Sequence, residues 1–241
     1  MSKRVDDIFT SVAPRYDVTN SVLSMGIHHL WKRRAVARCG VSTGQHVLDC
    51  ATGTGDLALM FARRVGPSGR VVGCDINAAM LSQAREKIDT PAIAWEQQDV
   101  QALTYADNSF DVAAIAYGIR NVDDLDVGLA EMARVVKPGG RVMVLEFGQP
   151  KGLMAPLYRF YSELILPVLG GLITGDRAAY KYLHDTSSTF PCGEAFAERM
   201  RSAGEFEQVA VEPLTAGISW LYVGTLASVS DTPSSPAAAP R

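Results

Sequence analysis

Short apolar runs alternate with amphipathic stretches through the middle of the chain. The runs His46–Ala51, Arg70–Asp75, Ala92–Gln97, Asp111–Tyr117 and Gly140–Phe147 are rich in Val, Ile and Ala, as buried strands are. Between them, 56–65, 77–88 and 123–136 carry apolar residues at helical spacing. Asp123 and Asp124 open the last helix, and Lys137 followed by Pro138-Gly139-Gly140 is expected to close it. Such alternation predicts βαβ units and a parallel sheet covered on both faces.

Beyond this core, 193–203 reads as a helix and 207–213 and 218–226 as strands. The link from Pro213 to Gly217 is short enough for a hairpin, so one of these strands should run antiparallel. The expected fold is α/β and Rossmann-like, with a seven-stranded, mostly parallel sheet and an antiparallel terminal hairpin strand. Helical patterns at 3–12 and 26–39 precede the core, and an insertion at 150–190 also reads as helices. One domain over 1–226 is expected: an N-terminal helical cap (1–44), a cofactor-binding core (45–149), a helical cover (150–190) and a completion of the core (191–226). The remaining 227–241, ASVSDTPSSPAAAPR, lacks aromatics and is expected to be a disordered tail.

Composition narrows the classes. A chain of 241 residues fits one decorated domain, and a net charge of −3 gives no pull towards nucleic acid. The cysteines Cys39, Cys50, Cys74 and Cys192 form no C-x-x-C pair, which points to a reduced, cytoplasmic chain. Adjacent His28 and His29 are expected on different sides of a helix, so no metal site is expected. The N-terminus lacks an apolar signal stretch. The most apolar segment, Leu153 to Ile173, holds Pro156, Arg159, Glu163, Pro167 and Gly170-Gly171, which argues against a membrane span. Lys32, Arg33, Arg34 and Arg38 read as a solvated helix face.

The sharpest local signal is Val47-Leu48-Asp49-Cys50-Ala51-Thr52-Gly53-Thr54-Gly55-Asp56, a strand entering a glycine turn that opens a helix. With Ala58 it satisfies the dinucleotide pattern G-x-G-x-x-G/A. A dinucleotide would set a pyrophosphate on the helix N-terminus, bracketed by Asp49 and Asp56. Like charges that close cost on the order of 1–3 kcal/mol. S-adenosyl-L-methionine carries a sulfonium and an ammonium instead, so the same acids favour it. Asp75, ending VVGCD, suits the ribose hydroxyls of either cofactor. Asp99 in Gln97-Gln98-Asp99-Val100 lies where an acid can accept from an adenine amino group, although an ordinary turn residue fits the position as well. The motif Asn-Pro-Pro-Tyr is absent after the fourth strand, which reads Ala116-Tyr117-Gly118-Ile119-Arg120-Asn121; nitrogen methylation is thereby disfavoured.

Several segments taken in order carry a resemblance: Val12-Ala13-Pro14-Arg15-Tyr16-Asp17 with Asn20, Gly26-Ile27-His28, Leu30-Trp31-Lys32, Tyr117 through Val122, Leu145-Glu146-Phe147 and Leu214 through Ile218. The chain resembles the ubiquinone/menaquinone biosynthesis C-methyltransferase family over about residues 5–226. That resemblance implies methylation of a ring carbon of a polyprenylated quinol: demethylmenaquinol to menaquinol as the favoured branch, a ubiquinone-pathway benzoquinol as the alternative. It implies cofactor contacts at Thr54, Asp75, Asp99, Val100 and Tyr117, joined by Asp49, Gly53 and Gly55 of the loop. It places Tyr16, Arg120 and Asn121 around the reacting ring, with Arg120 expected to stabilise the developing phenolate. The partners expected are the quinol, no nucleic acid, a transient contact with the inner face of a membrane and a candidate homodimer. The prenyl tail is expected against Leu153, Leu157, Phe160, Tyr161, Leu164 and Ile165, a stripe that ordinary core packing would also explain. Membrane docking is expected through Trp31 beside the basic cluster. An NAD-linked oxidoreductase and a non-catalytic cofactor-binding partner protein stay open as other classes.

Overall fold

The computed structural model describes residues 3–152, 154–174, 182 and 185–228. Seven strands form one sheet: β1 (His46–Cys50), β2 (Arg70–Asp75), β3 (Ile93–Gln97), β4 (Phe110–Ala116), β5 (Val136–Phe147), β6 (Phe206–Leu214) and β7 (Ser219–Leu226). Their order is β3-β2-β1-β4-β5-β7-β6. β1 to β5 pair in parallel, and β7 runs antiparallel to both β5 and β6. The Rossmann-like α/β fold is therefore as the pattern predicted, with β7 as the antiparallel strand.

Successive strand residues point to opposite faces, and both faces are buried. Leu48, Val142 and Val144 enter a core with Leu129 and Met132 of α6 (Leu125–Arg134) and Phe196 and Met200 of α9 (Glu194–Ser202). Val47, Met143 and Leu145 enter the opposite core, against Ala35 and Val36 of α3 (Ile27–Cys39) and Leu57 and Phe61 of α4 (Asp56–Val65). Arg33, Arg34 and Arg38 of the basic run are exposed on α3, as a solvated face. Arg34 and Arg38 both donate to Glu212 of β6, at 2.8 and 2.7 Å.

Two element boundaries differ from expectation. α6 ends at Arg134, and β5 already begins at Val136, because Val136 pairs with Phe110 before the register shifts ahead of Arg141. Pro138-Gly139-Gly140 therefore forms an irregularity within a strand, not a helix stop. The N-terminal region also contains an unexpected helix, α2 (Tyr16–Leu23), between α1 (Lys3–Val12) and α3.

The cap and the insertion lie over the ends of the sheet. Val12, Ala13 and Leu23 pack on Met80 of α5 (Ala78–Lys87), with Leu166 against them. Asn77 caps α5 by accepting from the Met80 amide, and its amide group donates to Asp6 and Thr10 of α1. The insertion runs as α7 (Met154–Phe160), a π-helical segment Tyr161–Ile165 and α8 (Leu166–Thr174). Tyr161 Oη donates to the Leu23 carbonyl, tying the insertion to the cap. Leu153 and most of the expected tail (229–241) lie outside the described residues. Among those described, no helix is long and apolar enough to cross a membrane.

Candidate active site

The sheet order reverses between β1 and β4, where an open α/β sheet offers a crevice at its carboxyl edge. Both strands end there in a backbone that side chains disfavour: Ala51 has φ 49° and Tyr117 has φ 58°. They approach so closely that a Cβ on Gly118 would stand 2.5 Å from that of Ala51. Only glycine fits at 118.

Two cavities open over this point. The larger, ≈ 560 Å³, is lined by Asp49, Thr54, Lys32, His28, Arg120 and Tyr158 together with the apolar side chains of the cap and insertion. The smaller, ≈ 80 Å³, is lined by Asp75, Asp99, Val100, Gly118 and Asn121. Tyr16, Gly53 and Tyr117 line both and form their shared wall. Of the loop residues singled out from sequence, Gly55 and Asp56 line neither. Gly55 holds φ +85° at the start of α4, and a Cβ there would meet Trp95 at 2.5 Å. Its part is close packing beneath the loop.

The acids differ in what they offer. Asp49 is 1% exposed and accepts from Thr52 Oγ1 at 2.6 Å. Burial pushes its carboxyl up to about 7, against the pull of the Thr52 hydrogen bond and of Lys32. Asp75 accepts from the Gly53 amide on one oxygen and the Asn77 amide on the other, both at 2.9 Å. Asp99 accepts from the Gln101 amide at 3.0 Å.

Asp56 corrects the sequence argument. Its two oxygens are taken by Lys87 at 2.5 Å and Lys32 at 3.1 Å, and it lines neither cavity. The pairing with both lysines keeps its carboxyl down, at about 2, in spite of burial. It therefore brings no bare negative charge to a ligand; Asp49, which no lysine among the described residues pairs directly, does so when ionised. Lys87 also binds Asp17 at 2.6 Å, and Asp17 accepts from Thr54 Oγ1 at 2.5 Å. This chain fastens α2 to the glycine loop.

The two histidines are a second correction. Their ring centroids lie 3.9 Å apart, and their nitrogens and an Asp56 oxygen fall within 4.8 Å of one another. That carboxylate is already held by two ammonium groups, which leaves it poorly suited to a cation. His28 has a defined tautomer. Ser24 Oγ gives its one proton to the Asn20 carbonyl at 2.6 Å, so the 2.6 Å contact to His28 Nδ1 requires Nδ1 to donate. Burial and Lys32 lower the imidazole to about 4, and it is neutral at pH 7.

Trp31 is also corrected. It is 6% exposed and donates Nε1–H to Thr215 Oγ1 at 3.0 Å, so it is not available to a membrane. The insertion stripe, by contrast, is not core. Leu157 is 61%, Phe160 56% and Leu164 56% exposed.

Arg120 stands on the floor of the larger cavity, in the turn after β4, with its side chain 6% exposed. Its Nη1 donates to Glu146 Oε1 at 2.7 Å and to the Tyr117 carbonyl at 2.6 Å. The guanidinium carbon lies 5.4 Å from the centre of the Phe147 ring. Arg120 Nε is buried and has no hydrogen-bond partner among the described residues. Asn121 Oδ1 accepts from Tyr182 Oη of the insertion at 3.0 Å. Tyr16 is half-buried, and loss of water around its hydroxyl raises it above the usual range although Arg120 opposes this.

Sequence reasoning missed Asp17, Asn77, Lys87 and Glu146. Glu146 had a signal, as a lone acid closing the apolar run Val142–Leu145. Asp17 stood in the segment that carries the resemblance, but its contacts, like those of Asn77 with α1 and of Lys87, were not legible because these partners lie tens of residues away.

A seven-stranded mixed sheet with this order and a cavity at its switch point is a Rossmann-like fold. A SAM-dependent methyltransferase from Thermotoga maritima shares the fold, with a TM-score of 0.64 at 21% identity over 91% of this chain and 98% of that one. More particularly, the chain belongs to the ubiE/COQ5 methyltransferase family, whose model matches residues 1–226. It is similar to the ubiquinone/menaquinone biosynthesis C-methyltransferase UbiE of Bdellovibrio bacteriovorus, 50% identical over 92% of this chain and 95% of that protein. It is also 44% identical to the UbiE of Pseudoalteromonas translucida, over 91% and 89%.

Proposed function

We propose that the protein transfers a methyl group from S-adenosylmethionine to a ring carbon of a polyprenylated quinol, and that demethylmenaquinol is its substrate. Family membership supports quinone C-methylation with this cofactor; the ubiquinone-branch benzoquinol is the alternative acceptor. The residues present fit the cofactor. The smaller cavity offers Asp75 and Asp99 to a ribose and an adenine, and the larger offers the buried carboxylate of Asp49 to an ammonium. Gly53, Thr54, Val100 and Tyr117 complete the lining. When bound, the cofactor supplies an electrophilic methyl group.

Acid–base chemistry then falls to the chain. A phenol's ring carbon becomes nucleophilic as the hydroxyl proton leaves and negative charge gathers on the oxygen. The observation that carries the assignment is Arg120: a nearly buried guanidinium that lines the cavity floor suits that charge. Arginine holds its own proton too firmly to act as the base. Tyr16, which lines both cavities, flanks the ring; Asn121 lines only the smaller cavity, beside the cofactor, where the bond from Tyr182 orients its amide.

The prenyl tail leaves through the mouth of the larger cavity. Met25, Leu157 and Phe160 line that cavity and are 89%, 61% and 56% exposed. Val18, Val22, Leu30 and Leu164 are exposed on the same cap and insertion helices. Such a rim suits transient contact with the lipid surface where a prenylated quinol resides; it replaces Trp31 in that part.

The test is methyl transfer from labelled cofactor to short-chain demethylmenaquinol and to the ubiquinone-branch benzoquinol. Preference for the first is expected, and equal or reversed preference overturns the branch. Arg120→Ala should lower kcat by about 10²–10³-fold with cofactor Kd within a factor of two. Parallel loss of both overturns the role given to Arg120.

A further inference from the structure

Glu146 is as deeply buried as Asp49, yet it lines neither cavity. It is 1% exposed at the end of β5. Its Oε1 accepts from Arg120 Nη1 at 2.7 Å and from the Phe147 amide at 2.8 Å. Its Oε2 accepts a longer bond from the Arg120 amide at 3.4 Å. Its carbonyl accepts from Ser219 Oγ of β7 at 3.0 Å, and the same hydroxyl lies 3.2 Å from Tyr117 Oη. One residue thus touches the side chain and backbone of Arg120 and, through Ser219, the Tyr117 ring on the shared wall. The Tyr117 and Phe147 rings lie 4.5 Å apart, tilted by 33°, and the Phe147 ring faces the guanidinium at 5.4 Å.

We infer that Glu146 is the positioning residue of this site: it fixes the orientation of the Arg120 guanidinium and balances its charge, so that the guanidinium is held in place at the cavity floor for the substrate oxygen. The inference rests on the role proposed for Arg120. A free guanidinium samples many rotamers, and one buried without a counter-charge is costly. The carboxylate of Glu146 removes both problems from behind. Glu146 itself neither touches the quinol nor moves a proton. Because the ion pair is neutral overall, the floor presents a directed donor and not a net cation. Removing the negative charge therefore makes the floor more positive, which favours ionisation of a bound phenol and shifts it to lower pH.

The experiment compares Glu146→Gln, Glu146→Asp, Arg120→Ala and the Glu146→Gln/Arg120→Ala pair in the full-length protein, using radiolabelled cofactor and short-chain demethylmenaquinol. Glu146→Gln keeps the shape and loses the charge. It should bind cofactor within twofold of the wild type and keep its quinol KM within about threefold, while kcat falls about 10–30-fold. The rising limb of its kcat–pH profile should move to lower pH, which a purely structural defect does not produce. The double variant should be no slower than Arg120→Ala, because two groups acting as a unit are not additive. Wild-type kcat and an unmoved limb in Glu146→Gln overturn the inference, as does an additive double variant. If Glu146→Gln fails to fold, Glu146→Asp decides. It keeps the charge and draws the carboxylate back by one methylene, so kcat should fall with the limb in place; wild-type kcat there overturns the inference. Full activity in Arg120→Ala overturns the reading of Arg120. A slow Arg120→Ala beside an unaltered Glu146→Gln removes only the part given to Glu146.

Discussion

Along the carboxyl edge of the sheet, Asp49, Gly53, Thr54, Asp75 and Asn77 are each held by a hydrogen bond to a neighbour on the floor or the cap. The helices above them instead leave Met25, Leu157 and Phe160 more than half exposed around the mouth of the same cavity. The floor spends polar contacts to preset a few donors and acceptors, as a small, charged ligand group requires. The roof spends few, and offers apolar area with little directionality. A floor of this kind discriminates by chemistry, and a roof of this kind admits by hydrophobicity.

The floor should break first and hardest at Asp49. Asp49→Asn removes the buried carboxylate, and calorimetric cofactor affinity should fall about 100-fold. Unchanged affinity would remove this acid from the cofactor site. Its pH dependence follows from the raised carboxyl. An ammonium needs the ionised acid, so with the free site titrating at about 7, wild-type binding should be about tenfold weaker at pH 6 than at pH 8. The variant should lack that slope.

The sign for stability is opposite. In the folded protein Asp49 keeps its proton above the pH at which the unfolded chain loses it. This contribution is complete below the ordinary aspartate range and disappears as pH rises through about 7. Without cofactor at pH 8, Asp49→Asn should therefore be the more stable protein, by about 2 kcal/mol. Thermal melts at pH 5 and pH 8 check this, and an equal gain at both contradicts it.

The roof should respond more weakly and only to the tail. Leu157→Ser with Phe160→Ser should raise KM about fivefold for a long-chain quinol and change kcat/KM for a short-chain one less than twofold. Equal loss on both substrates would make the rim part of the ring site. The smallest effect belongs to the fastening between the two regions. Lys87→Met breaks the Asp17–Lys87–Asp56 chain. Because these charges are partly solvated, cofactor release should quicken only about threefold, measured by stopped flow; no change would mean that the Thr54–Asp17 bond suffices.

The floor was also the legible half. α4 and β2 occupy the predicted residues, 56–65 and 70–75, because strand and helix periodicity, glycine turns and capping are local. Where tertiary pairing intervened, periodicity failed. Residues 136–140 join β5 since Phe110 offers Val136 a strand partner, and α2 forms where Asp17 and Leu23 find Lys87, Thr54 and Tyr161. The loop acids were legible as a set, yet their charges were not. Asp49 and Asp56 are seven residues apart in one motif, but Lys32 and Lys87 neutralise only the second.

By itself, then, the amino-acid sequence determined the order of strands and helices, the glycine loop at the first strand's end and the family to which the chain belongs, since all three are written in short-range spacing. The tertiary structure decided which acid meets a ligand, that Trp31 is buried while Leu157 and Phe160 are not, and that Glu146 stands behind Arg120. Those outcomes depend on which distant side chain arrives within about 3 Å, and on how much water is left there, neither of which any local pattern encodes.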